Sequence, residues 1–202
     1  MRADQLLKEM CAKYAYFTSY SDEGTVVVTG DQPARVLFRT HFQRPYLFRF
    51  EWTHMVRDRF NRARTFRNVL WCDGASTFLC GDDERPGAVQ SLVLGVAGAT
   101  GVSMGAAHTI SAMLLKEVGG FLFTDLEQVS LSETVSDATD LYYIEGYHPA
   151  GDFCKLSLGK DDLLLRQVEM TDEAGLVTIE THSNIRVDEP IDGDIFKNVQ
   201  CN

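Results

Sequence analysis

Between Val36 and Thr53 the chain switches chemistry at nearly every residue. Val36, Phe38, Thr40 and Phe42 alternate with Leu37, Arg39 and His41, and then Tyr46, Phe48, Phe50 and Trp52 alternate with Leu47, Arg49, Glu51 and Thr53. A period of two sends successive side chains to opposite sides of an extended strand. The run therefore predicts antiparallel strands with one aromatic face and one largely solvated face. An aromatic face this large needs an apolar partner, more than one short helix can supply.

The flanking segments add the remaining elements. Asp4 is placed to cap a first helix whose Leu7, Met10, Cys11 and Tyr14 recur at helical spacing. Val26 and Val28 share a strand face ahead of a Gly30-Asp31 turn. In "NVLWCDGASTFLC" the Asp73-Gly74 pair predicts a hairpin that sets Val69 and Trp71 against Cys80 and Phe78, with Cys72 opposite Thr77. Pro86 suits the first turn of a helix, and two short helices broken around Gly98 to Gly105 are expected to end at Gly119-Gly120. Beyond Glu127, "DLYYIEGY", "FCKLSLG", "LLLRQVEM" and "LVTIETHSNIRV" read as successive strands, the last with Val177, Ile179, Thr181, Ser183, Ile185 and Val187 on one face and Thr178, Glu180, His182, Asn184 and Arg186 on the other. The order predicts an α+β fold, a large antiparallel sheet with helices gathered on one face, built as one domain over 1–202 with covering helices at about 86–118.

A net charge of -10 leaves no broad basic face for phosphate backbones, so nucleic acid is not an expected partner. Cys11, Cys72, Cys80, Cys154 and Cys201 show no metal-binding spacing and are expected as free thiols. No export signal is visible in "MRADQLLKEM". Either Met1 is the natural start and the protein is cytoplasmic, or a signal has been removed.

The stretch from Leu92 to Leu115 holds no Asp, Glu, Lys or Arg and admits three readings. It is long enough for a membrane span, yet its glycines and polar residues give little insertion drive, so no transmembrane span is expected. Gly101-Val102-Ser103-Met104-Gly105 matches the G-x-S-x-G nucleophile turn of serine hydrolases, with Asp125 or Asp137 and His148 or His182 as partners. That turn needs a parallel strand before it, and the strands here read as antiparallel. The third reading makes the stretch a glycine-jointed cover over the aromatic face. The cover either completes a dry core or parts to admit a ligand; glycine joints fit both.

Segment order and local motifs resemble the outer-membrane lipoprotein-sorting carriers, the LolA-like superfamily. "FRTHFQRPYLFRFEW" is similar to that family's strand pair around an Arg-Pro-x-x-Phe turn, "VLWCDGASTFLC" to its hairpin, and "HTISAMLL" to its short lid helix. The resemblance implies a strongly curved antiparallel sheet, an incomplete β-barrel, with helices covering the open side over an apolar cavity that receives acyl chains of lipid or lipoprotein. It also implies a periplasmic or cell-envelope location, and it places the family's lid-tying arginine at Arg44. The Gly95 to Gly105 segment departs from the family in being longer than a simple lid helix.

The candidate cavity wall is Phe38, Phe48, Phe50, Trp52, Trp71 and Phe78 from the sheet with Leu92, Leu94, Ile110, Met113 and Leu114 from the cover. Burial at about 0.8 kcal/mol per methylene gives roughly 5 to 10 kcal/mol for partial coverage of a long chain. Such binding calls for no cofactor, no metal and no catalytic group, and a monomer suffices.

Overall fold

The computed structural model describes residues 2–30, 33–57, 62–82, 85–132 and 140–197. Strands β1 (Ser19–Val28), β2 (Ala34–Gln43), β3 (Leu47–Arg57), β4 (Ala63–Asp73), β5 (Thr77–Gly81) and β6 (Gly87–Val89) form one antiparallel meander. A second comprises β7 (Glu127–Leu131), β8 (Leu141–Tyr147), β9 (Phe153–Gly159), β10 (Leu165–Thr171) and β11 (Val177–Val187). Because β11 returns to pair with β1, the two meanders merge into one open eleven-stranded sheet ordered β6-β5-β4-β3-β2-β1-β11-β10-β9-β8-β7. With helices over one face, this is the expected α+β half-barrel.

Helix α1 (Ala3–Tyr16) buries Leu6, Leu7, Met10 and Tyr14. Its start corrects one expectation: Arg2 holds the N-cap position without a side-chain cap, and Asp4 lies inside the first turn paired to Arg2 at 3.0 Å. An acid there still complements the helix dipole. The aromatic face forms as the alternation requires. Phe38 stacks on Phe50 at 5.8 Å and Phe50 on Trp52 at 5.4 Å, and all three are buried together with Phe42 and Phe48. Tyr46 does not join them, because it sits in the turn before β3 and is 48% exposed. Gly24 faces Phe38 across β1 and β2, and a methyl at Gly24 would stand 2.1 Å from the Phe38 ring. The close approach lets that ring lie flat over β1.

The β4–β5 hairpin has the predicted register, with Val69 opposite Cys80, Trp71 opposite Phe78 and Cys72 opposite Thr77. One cysteine expectation is overturned: Cys80 is disulfide-bonded, while Cys11, Cys72 and Cys154 are free. Cys201 lies outside the described residues, as does Asp31 of the first expected turn. Pro86 is also corrected. It precedes the short strand β6, and the helix begins only at Leu92, after Ser91.

Strand β11 carries the consequential irregularity. Its register against β1 steps from Ser21–Arg186 to Glu23–Ser183, so β11 holds one extra residue there, and Asn184 adopts a left-handed φ of 51°. A bulge of one residue exchanges the two faces of a strand. Ile185 and Val187 pack on the core on one side of it, and Glu180 and His182 are buried on the other.

Candidate functional site

Helix α2 (Leu92–Val102) starts where the Ser91 hydroxyl accepts the Leu94 N–H at 3.2 Å. It runs unbroken through Gly98 and Gly101, and the chain turns only at Ser103–Gly105, where Met104 has a φ of 57° and Gly105 of 95°. Two four-residue helices follow, α3 (Ala106–Thr109) and α4 (Ser111–Leu114), so the cover ends before Gly119-Gly120. Its three helix glycines differ in surroundings. A methyl on Gly95 would stand 2.5 Å from Leu70 Cδ1, whereas one on Gly98 or Gly101 meets nothing within 4 Å. Gly95 serves close packing; the other two leave the helix backbone loose without a packing reason.

The structure divides the expected cavity wall. Phe38, Phe48, Phe50, Trp52, Ile110, Met113 and Leu114 are buried in one cluster between sheet and helices, with Leu92 packed on its edge. Trp71 and Phe78 stand apart, stacked at 5.1 Å in a separate small cluster with Val69 and Cys80. Leu70 and Cys72 belong to the main cluster in their place, as strand alternation demands. Leu94 is 52% exposed.

Arg44 sits where three elements meet. Its guanidinium donates to Phe17 O at 2.7 Å, to Ala15 O at the end of α1, and to Leu114 O at the end of α4 at 3.1 Å. Carbonyls at helix ends lack intrahelical partners, and a planar cation fits them. The same side chain lies over the Phe42 ring at 5.2 Å. Arg44 thus bridges the ends of α1 and α4 and the Phe42 ring.

Beneath α3 lies a half-open hollow of about 250 Å³, walled by Met104, Met113, Phe121, Phe123, Val168 and Met170 and reached by Thr109 and Glu180. Of the expected wall residues it shares Met113 alone among the described lining. Its polar floor continues into a buried network. Thr109 Oγ1 donates to Glu180 Oε2 at 2.8 Å, Glu180 Oε1 lies 3.2 Å from His182 Nε2, His182 Nδ1 lies 2.7 Å from Asp22 Oδ2, and the Tyr20 hydroxyl donates to that same oxygen at 2.9 Å. Burial alone would push His182 down, but the hydrogen bonds and charges of Asp22 and Glu180 outweigh it and raise its pKa to about 9. The sequence reading named His182 only as a candidate partner of Ser103 and passed over Glu180, because the alternation of β11 puts both on its polar face, and the bulge at Asn184 turns that face inward.

The serine of the G-x-S-x-G segment is held differently from a nucleophile turn. Ser103 is fully buried, its hydroxyl accepts the Ala107 N–H at 3.1 Å, and every strand pairing among the described residues is antiparallel. The expected partners are engaged elsewhere: Asp125 with Leu122 N–H, His148 Nδ1 with Ala150 N–H, His182 with Asp22. Asp137 lies outside the described residues. Among the described residues no group of three His, Cys, Asp or Glu is arranged to hold a metal, and no helix is long and apolar enough to cross a membrane.

No protein-family model and no curated protein matches the chain. Among solved structures it is similar to an uncharacterized conserved protein from Thermus thermophilus, with a TM-score of 0.50 and 12% identity over 97% of this chain and 93% of that one. It is also similar to an outer membrane lipoprotein-sorting protein domain from Vibrio parahaemolyticus, at TM-score 0.40 and 10% identity over 96% and 95% of the two chains. A LolA superfamily protein from Nitrosomonas europaea is matched at TM-score 0.32 and 12% identity over 98% of each chain. At such identities the likeness is one of fold alone.

Proposed function

We propose that this chain is a non-enzymatic carrier that holds an acyl chain of a lipid or lipoprotein between the sheet and the α2–α4 cover. The observation that carries the reading is the construction of that cover. It holds no Asp, Glu, Lys or Arg from Leu92 to Leu115, rests on the aromatic cluster, and is tied by polar contacts at Arg44–Leu114 and Thr109–Glu180. The apolar contact is non-directional, so a ligand's methylenes can take its place when the helices lift, while the two polar ties define the closed position.

The hollow, at about 250 Å³, falls below the roughly 300–1,000 Å³ of pockets that enclose a drug-sized ligand. A long chain therefore enters by lifting α3 and α4 from the sheet and replacing their contacts with its own methylenes, each contributing about 0.8 kcal/mol. Nothing in this mode of binding calls for a nucleophile or a cofactor, and a monomer contains the whole site. The disulfide at Cys80 fits an oxidising compartment, which supports a periplasmic or cell-envelope location. The test is native mass spectrometry of protein purified from its own cells: acyl-bearing adducts released by organic solvent are expected, and a uniformly bare mass opposes the reading.

A further inference from the structure

Resting on the carrier reading, we propose that the hollow beneath α3 is a subsite for a primary ammonium group, so that the preferred ligand is a cationic amphiphile, an apolar chain ending in an amine. Glu180 is the only carboxylate, and no lysine or arginine occurs, among the described residues lining the hollow. The residue is 5% exposed, and its Oε1 meets His182 Nε2 alone, at 3.2 Å. Behind it stand a second carboxylate, Asp22, and a single imidazole. That single imidazole can neutralise at most one of the two carboxylates. A buried excess of negative charge beside an apolar hollow favours a cation.

The two histidines that also line the hollow are turned to backbone partners. His148 Nδ1 accepts the Ala150 N–H at 3.0 Å, and His108 Nε2 lies 3.0 Å from Gly119 O. Phe121 and Phe123 stand edge to face at 5.8 Å on the wall, and aromatic faces attract an ammonium further.

Glu180 Oε2 is at present satisfied by the Thr109 hydroxyl, a neutral donor on α3. A charge-assisted hydrogen bond from an ammonium is roughly twice as strong as a neutral one, so the arriving headgroup displaces Thr109. That exchange removes a tie between α3 and β11 as the chain enters. Ligand recognition and loosening of the cover are then one event.

The test is displacement of a neutral fluorescent probe by dodecylamine, dodecanol and dodecanoic acid at neutral pH, where an alkylamine is protonated as lysine is. Salt of about 0.5 M screens the chain's overall charge. The intact protein is expected to bind the amine roughly tenfold or more tighter than the alcohol, with the acid weakest. Glu180→Gln removes the preference for the amine over the alcohol, and Thr109→Val retains it. Equal affinity for amine and alcohol in the unaltered protein overturns the inference, as does a preference that persists in folded Glu180→Gln. If the alcohol binds without a preference for the amine, the carrier reading stands without the ammonium subsite. If none of the three displaces the probe, both fall.

Discussion

Replacing Gly98 and Gly101 with alanine adds methyl groups where no atom lies within 4 Å, inside a helix that runs through both positions. Each glycine inside a helix costs about 0.5–1 kcal/mol relative to alanine, so the pair is worth roughly 1–2 kcal/mol of added stability. At about 2–4 °C per kcal/mol for a domain of this size, the double variant should melt about 2–8 °C higher. Gly95→Ala should do the opposite. Its methyl would stand 2.5 Å from Leu70 Cδ1 and 3.3 Å from Thr77 Cγ2, and Leu70 is fully buried. Overpacking of that kind costs about 1–3 kcal/mol, more than the helix gains, so Tm falls. Thermal unfolding followed by circular dichroism measures all three variants. If lifting of the cover uses the looseness at Gly98 and Gly101, stopped-flow uptake of an amphiphilic probe slows in the double variant. The same sign for Gly95→Ala and Gly98→Ala would refute the division of these glycines into one that packs closely and two that face open space.

Arg44→Ala strips donors from the ends of α1 and α4 and should cost about 1–3 kcal/mol, with faster amide exchange over residues 111–118; unchanged exchange there contradicts the fastening role. For His182 the folded pKa, about 9, lies above the unfolded value of 6.5. Its contribution to stability is therefore complete below pH 6.5 and disappears as pH rises through about 9. Denaturant titrations across that window should show this decline in the unaltered protein and lose it in His182→Gln; the same decline in both contradicts the pairing with Asp22 and Glu180. Alkylation with peptide mapping should leave Cys80 unmodified until a reductant is added, while Cys11, Cys72 and Cys154 react once the protein unfolds; modification of Cys80 without reductant removes the disulfide and its argument for an oxidising compartment.

The β4–β5 hairpin was legible down to its residue pairs, because a two-strand register follows from the turn that connects it. The aromatic face of β2 and β3 was legible for the same kind of reason, since alternation states which side chains share a face. Alternation does not state which face is inner. Trp71 and Phe78 read as natural partners of Phe50 and Trp52, and only the assembled sheet puts Leu70 and Cys72 inward instead. In β11 the failure is sharper: one extra residue at Asn184 reverses the faces partway along the strand, so Glu180 reaches the floor of the hollow with His182, which the sequence had offered only as a partner for Ser103, buried behind it. A bulge depends on the partner strand and leaves no periodic signature. The Cys80 disulfide was equally hidden, because cysteine pairing is a matter of distance in space.

Photocrosslinking tests the central claim most directly. An alkyl chain bearing a diazirine, irradiated with the folded protein and mapped by peptide mass spectrometry, should label the walls of the hollow and the aromatic cluster, above all Met104, Met113, Phe121, Val168 and Met170. Labelling confined to the separate Trp71–Phe78 cluster, or none in a folded sample, would contradict a carrier that opens between its sheet and its helices.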